Sequence, residues 1–195
     1  MMAAFLGLHY TTPVEWADRV LAEPGPLLLD HLFAEKKAAA MALHTLKVHG
    51  KRFPILKQLM NDLANEEFEH ADRVETILKN YPKPEALKGG NRYAQGLRKL
   101  WQVRGRDNFL DMLLVCGLIE ARSAERFRLL ADTAHGTELG HFYEDLYAAE
   151  VNHYLLFTNL GVDFFGEELT MQRLNEMRVV EAELIRSMPP GPRIH

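Results

Sequence analysis

ANEEFEHADR, at residues 64–73, places Glu67 and His70 three positions apart in a segment with helical patterning. A second Glu-x-x-His follows later in the chain, at Glu150 and His153. Side chains three positions apart lie on one face of an α-helix, so each pair can bind a single metal ion. Because an isolated Glu-x-x-His is a common pattern, the metal hypothesis depends on what surrounds the two pairs.

Five helices are predicted, and no segment alternates as a strand does. Glycine and proline mark the helix ends, with Asp107 as the expected N-cap of the third helix and Gly161 closing the fourth. The predicted helices cover residues 27–49, 54–79, 108–134, 138–160 and 167–188.

The connections pair the first four helices. Those after the first and third helices are only a few residues long, which predicts two antiparallel hairpins. A long crossover, residues 81–106, joins the hairpins, and this connectivity is typical of ferritin-like proteins. We therefore expect residues 1–195 to form a single all-α domain, a ferritin-like four-helix bundle with an extra C-terminal helix.

Each hairpin helix carries acidic or imidazole groups within its apolar stripe. Because unpaired buried charge is very costly, these groups need a counterion. Four carboxylates and two imidazoles form the ligand set of di-iron and di-manganese bundles, and two divalent ions offset the carboxylate charge. The predicted ligands are Glu35, Glu67, His70, Glu120, Glu150 and His153.

The order of the ligands supports this hypothesis, since a Glu followed by Glu-x-x-His occurs once in each hairpin. Glu138 and His141 share the spacing, but twelve positions separate Glu138 from Glu150, about 120° around a helix. Both glutamates therefore cannot face one site. The competing hypothesis, salt-bridged interior carboxylates, needs a cationic partner for each, and the four stripes supply none. Spacing alone does not distinguish iron, manganese and zinc.

Bulk properties narrow the function further. With 47% hydrophobic residues the chain can bury one sizeable core. The only cysteine, Cys116, excludes an internal disulfide and fits a reducing compartment. No apolar run is long enough for a membrane span, and the first residues lack a secretory leader. We expect a cytoplasmic protein with no membrane partner.

Four stretches around the predicted ligands carry a family resemblance: LLDHLFAEKKAAAMALH, ANEEFEHADR, LIEARSAERF and AAEVNHY. Together they resemble the tRNA 2-methylthio-N6-isopentenyladenosine hydroxylases, the MiaE family, from about Leu27 to Gly161. The resemblance implies a di-iron monooxygenase that hydroxylates the isopentenyl group of this nucleoside at position 37 in the tRNA anticodon loop. It also implies two iron ions, O2 as co-substrate and an external electron donor, either a reductase or a ferredoxin-type protein.

The resemblance further implies roles for individual residues. Glu67 and Glu150 are expected to bridge the metals, and Glu35 and Glu120 to be terminal ligands. Residues within about two turns of Glu120 are expected to line an oxygen and substrate pocket, with the hydroxyl of Ser123 at a position where oxygen-activating relatives carry one. Ordinary core packing explains each equally well. The pocket candidates are Leu113, Cys116, Gly117 and Ser123.

The crossover is basic, with seven cations and the single acid Glu85, although the net charge of the whole chain is −4. Tyr93 and Trp101 lie among the cations, as in surfaces that grip phosphates and stack bases. A solvated helix with basic residues is the alternative interpretation. With the family resemblance, these residues are the first candidates for tRNA contact: Lys83, Lys88, Arg92, Arg98, Lys99, Arg104 and Arg106.

Two other functions are compatible with the ligand pattern. A ferritin-like protein that oxidises or stores iron uses the same bundle. A di-iron oxygenase acting on a substrate bound to an acyl carrier could use the basic crossover to dock its acidic carrier.

Overall fold

The computed structural model describes residues 6–85, 90–102 and 108–195. These residues form seven helices and no strand. The helices are α1 (Val14–Ala22), α2 (Pro24–His49), α3 (Leu56–Leu78), α4 (Arg92–Gln102), α5 (Phe109–Thr133), α6 (Glu138–Phe165) and α7 (Glu167–Arg186). None of the helices in these ranges combines the length and apolarity needed to cross a membrane.

The chain divides into two compact units. The α2–α3 unit comprises residues 22–87 and 192–194, and the α5–α6 unit comprises residues 1–21, 88–191 and 195. The second unit also contains α4, α7 and nearly all of α1. Each predicted hairpin therefore lies within one unit.

In the α2–α3 unit, the turn at residues 50–55 joins α2 and α3 into an antiparallel hairpin. The N–H of Gly50 bonds to the carbonyl of Leu46 at 2.8 Å and ends α2. Pro54 lies in the turn, so α3 begins two residues later than predicted. Most of the apolar positions predicted to face the core are buried on both helices, whereas Leu46 and Ile77, near the C-terminal ends of α2 and α3, are only partly buried. The buried positions include Leu28, Leu32, Ala39, Met60, Leu63 and Val74.

In the α5–α6 unit, α5 packs against α4, α6 and α7, which accounts for its near-complete burial. Thr137 caps α6 by accepting the N–H of Gly140 at 3.0 Å. Gly136 supplies the left-handed residue of the preceding turn, with φ of 78°. The predicted N-cap Asp107 lies outside the described residues, and α5 follows Asn108.

Gly161 does not close the fourth predicted helix, and that prediction was wrong. Helix α6 continues to Phe165 and ends at Gly166, whose φ is 87°. A Cβ on Gly161 would lie 2.9 Å from Thr170 Cγ2 and 3.3 Å from Leu110 Cδ1. The missing side chain therefore lets α6 approach α5 and α7 closely.

A buried polar cluster in the α5–α6 unit centres on Arg122, whose side chain is completely buried. Its guanidinium donates two hydrogen bonds to Glu181, at 2.9 and 3.0 Å, and a third to Glu125 at 3.0 Å. Glu125 also accepts the N–H and the hydroxyl of Thr12, and the hydroxyl of Tyr93 donates to Glu181 at 2.9 Å. The cluster ties the N-terminal segment, α4 and α7 to α5.

The pKa values of two buried arginines in this region, Arg122 and Arg126, are shifted in opposite directions. Burial alone opposes the charge of Arg122, but Tyr93, Glu181 and Glu125 outweigh it and raise the pKa of Arg122 above its ordinary value. Burial, aided by the charge of Arg122, lowers the pKa of Arg126 to about 10. The carboxylates therefore stabilise the positive charge of Arg122. The guanidinium of Arg126 packs over the ring of Trp16.

Candidate metal centre

The α2–α3 unit brings Glu35, Glu67 and His70 together. The Nδ1 atom of His70 lies 3.6 Å from a carboxylate oxygen of Glu67 and 4.0 Å from one of Glu35. One ligand atom from each residue lies within 4.8 Å of the others. All three side chains are buried, and Glu67 completely. We call these three residues the α2–α3 cluster.

His31 contacts this cluster through Glu35 and was not predicted from the sequence. It is fully buried one turn before Glu35, and its Nε2 atom hydrogen-bonds Glu35 Oε1. The expectation that the stripes supply no basic partner was therefore wrong for Glu35. The signal was present in the sequence, since positions 31 and 35 share a helix face.

The α5–α6 unit forms a matching group, the α5–α6 cluster, from Glu120, Glu150 and His153. The Nδ1 atom of His153 lies 3.8 Å from Glu150 Oε1. The three residues offer ligand atoms within 4.8 Å of one another, and all three are buried.

The donor chemistry of both clusters fits a transition metal. Each provides two carboxylates and one imidazole from two adjacent helices, and these donors suit iron, manganese and zinc. Burial on rigid helices holds the donors in place before an ion arrives. Each cluster could therefore bind one ion.

The second Glu-x-x-His of α6, Glu138 and His141, lies away from the site, as predicted. Glu138 and His141 are both exposed at the start of α6, whereas Glu150 is 2% exposed. Glu138 and Glu150 point to different sides of the helix, so one Glu-x-x-His pair faces solvent and the other is buried.

The four pocket candidates are all buried on α5: Leu113, Cys116, Gly117 and Ser123. Gly117 lies at the packing surface with α6, because a Cβ there would be 3.5 Å from that of Phe157. Burial, with a smaller effect from the charge of Glu120, raises the pKa of Cys116, so its thiol stays neutral. Whether these residues line a substrate pocket remains a prediction.

The basic candidates divide between the units. Lys83 is exposed in the α2–α3 unit, and Arg92, Arg98 and Lys99 are exposed on α4. The guanidinium carbon of Arg98 lies 5.4 Å from the centre of the Trp101 ring. Three candidates, Lys88, Arg104 and Arg106, lie outside the described residues.

A family model described as tRNA-(MS2IO6A)-hydroxylase (MiaE) matches residues 2–195. The chain belongs to the MiaE family. A relative from Pseudomonas putida, named tRNA 2-(methylsulfanyl)-N(6)-isopentenyladenosine(37) hydroxylase, is 36% identical over 193 residues, which cover 98% of this chain and 92% of the relative. A Salmonella typhimurium protein of the same name is 31% identical over 133 residues, which cover 68% of this chain and 48% of that protein.

A solved structure is similar to this MiaE-family chain over almost its full length. It is described as "Protein 43 with aldehyde deformylating oxygenase activity from Synechococcus", with a TM-score of 0.87 and 31% identity. The match covers 96% of this chain and 94% of that one. The predicted family and the all-α, ferritin-like fold class are both confirmed.

Proposed function

We propose that this chain is a di-iron monooxygenase that hydroxylates the isopentenyl group of 2-methylthio-N6-isopentenyladenosine at position 37 of tRNA. The observation that carries the proposal is the MiaE family match across residues 2–195. A relative with that hydroxylase name aligns over nearly the whole chain. The similar fold of a protein named for oxygenase activity supports oxygen chemistry on this scaffold.

In this proposal the two units form one domain, residues 1–195, and the two clusters contribute to one di-iron centre. The residues that would hold the irons are the six predicted ligands, Glu35, Glu67, His70, Glu120, Glu150 and His153. The expected division into shared ligands, Glu67 and Glu150, and terminal ligands, Glu35 and Glu120, stays a prediction. The support is the burial of both clusters and their repeated composition of two carboxylates and one imidazole.

The reaction replaces one C–H hydrogen of the isopentenyl group with a hydroxyl. One oxygen atom of O2 enters the product, and the other leaves as water with two electrons and two protons from outside. When bound, the iron pair supplies the oxygen activation. Because no side chain of this protein provides two electrons catalytically, we propose a reductase or ferredoxin-type donor as partner.

The side chains predicted to line a pocket near Glu120 suit an apolar tail. Leu113 is fully buried, and the neutral thiol of Cys116 adds little polarity one turn from the ligand. In the proposal these residues exclude water from the reacting carbon, and the hydroxyl of Ser123 supplies a hydrogen-bonding group near the oxygen site.

Helix α4 provides a surface for tRNA. Tyr93 and Leu97 face inward and are fully buried, so the expectation that Tyr93 is part of a base-stacking surface was wrong. Gly96 allows close approach to Leu184 of α7. The opposite face exposes Arg98 and Lys99. A rigidly docked helix can present these cations to phosphates at fixed positions.

Reversing the charges of Arg98 and Lys99 together, both to glutamate, should weaken tRNA binding. We expect a loss of affinity of roughly 10- to 100-fold and a shallower dependence on salt, by about one unit of slope per lost phosphate contact. The measurement is tRNA affinity at several salt concentrations. Reversal of two exposed cations elsewhere, Arg19 and Lys57, is the matched control. Equal losses in both double variants, or no loss in the first, would refute the α4 surface.

The function is tested by incubating iron-loaded protein with tRNA that carries the unhydroxylated nucleoside, together with a reductant and O2. Digestion and mass spectrometry should show a gain of one oxygen on that nucleoside. Protein loaded with Zn(II), which has no redox chemistry, is the control and should be inactive. No conversion by the iron-loaded protein would reject the proposal.

Family membership does not favour the two alternatives. An iron-storage protein would form a large closed shell, and an acyl-carrier oxygenase would hydroxylate a carrier-bound chain, so mass in solution and a carrier-substrate assay distinguish them. A cytoplasmic location is part of the proposal, since tRNA is the substrate.

A further inference from the structure

The two clusters differ at one corresponding position. Each contains a glutamate from the first helix of its hairpin, Glu35 in one and Glu120 in the other. The residue four positions earlier is His31 beside Glu35 but Cys116 before Glu120. Side chains four apart are neighbours on a helix, so each of these residues lies one turn from its glutamate.

His31 acts directly on Glu35. Its side chain has no exposed surface, and its Nε2 atom hydrogen-bonds Glu35 Oε1. A carboxylate that ligates a metal is ionised and can only accept, so in the ligating state of Glu35 the imidazole of His31 would be the donor. The bond occupies one carboxylate oxygen and orients the group, while Glu35 Oε2 is the oxygen 4.0 Å from Nδ1 of His70.

Cys116 offers a much weaker interaction at the corresponding position. A thiol is a poor hydrogen-bond donor. The thiol is buried, and burial is the main cause of its raised pKa, so it supplies no counter-charge one turn from Glu120. Cys116 therefore does not give Glu120 the imidazole hydrogen bond that His31 gives Glu35.

We propose that His31 is a positioning residue that holds Glu35 in its ligating orientation and makes the α2–α3 cluster the tighter of two inequivalent metal positions. This inference rests on the proposed metal function of the clusters. Groups that orient a ligand typically contribute about 10- to 100-fold to metal affinity. A hydrogen bond to the non-ligating oxygen restricts the rotation of the carboxylate, so less order has to be imposed when the metal binds.

The test is an anaerobic titration of the metal-free full chain with Co(II), without tRNA. Calorimetry and visible absorption monitor the binding. The wild-type protein should bind in two resolved steps. His31→Leu should weaken the tighter step by about 10- to 100-fold and leave the weaker step in place. His31→Gln, which keeps a side-chain N–H donor, should recover most of the affinity. Cys116→Ala, the matched control, should change neither step.

Equal weakening of both steps by His31→Leu, no weakening, or the same effect from Cys116→Ala would overturn the role of His31. If His31→Leu does not fold, NMR of the wild-type protein with 15N-labelled histidine and bound Zn(II) tests the same role of His31. The Nε2 proton of His31 should then be visible and slow to exchange, and a deprotonated Nε2 would overturn the proposal. No Co(II) binding by the wild type would instead contradict the metal centre itself.

Discussion

Replacement of Glu150 by alanine is expected to lower hydroxylation by on the order of 10³-fold or more, because ligands of one centre act as a unit. Glu150 is almost fully buried, with Nδ1 of His153 3.8 Å from its carboxylate. Without the carboxylate, the α5–α6 cluster retains one glutamate and one histidine. Iron content should fall as well. Iron analysis and nucleoside mass spectrometry after a single turnover measure the two effects.

Glu138→Ala is the matched control, since it removes an exposed glutamate with the same Glu-x-x-His spacing from the same helix. This variant should keep its iron and its activity. Thermal unfolding of the metal-free variants shows whether each is folded. Full activity in folded Glu150→Ala, or an equal loss in Glu138→Ala, would exclude Glu150 as a ligand.

Replacement of Arg122 by leucine is expected to destabilise the protein by about 3–5 kcal/mol, the range for removing one partner of a buried ion pair. The change leaves Glu181 and Glu125 buried without the guanidinium that bonds them at 2.9–3.0 Å. In a chain of this size the melting temperature should fall by roughly 10 °C. Urea unfolding of the metal-free protein measures the free energy of unfolding.

Two variants separate the buried network from a general effect of arginine loss. Arg128 is half-exposed on the same helix and pairs with Asp132 at 2.7 Å, so Arg128→Leu should cost less than about 1 kcal/mol. The double change Arg122→Leu with Glu181→Leu should be more stable than Arg122→Leu alone, because it removes a stranded charge. Similar losses for Arg122→Leu and Arg128→Leu would contradict the account.

Much of the fold could be predicted because its determinants are local. Residues near in sequence form the apolar stripes, and the short turn at residues 50–55 leaves the first hairpin only one topology. The same periodicity located buried carboxylates, since Glu35 and Glu67 interrupt stripes that are otherwise apolar. The position of Glu138 around its helix was sufficient to exclude it from the site.

The features that were not predicted depend on contacts between distant residues. Arg122 and Glu181 are 59 positions apart, and no local pattern marks them as partners. Gly161 looks like a helix end in sequence, but the neighbouring Thr170 and Leu110 make it a packing residue inside α6. His31 was not predicted, because buried histidines were considered only as metal ligands. A buried histidine can also hydrogen-bond a ligand, as His31 does with Glu35.

The central claim is that the two clusters, one from each unit, hold a single coupled pair of irons. The most direct test is the Mössbauer spectrum and iron content of the protein after loading with 57Fe and oxidation. We expect two irons per chain, present as a spin-coupled diferric pair without an EPR signal. One iron per chain, or two magnetically independent ferric ions, would contradict it.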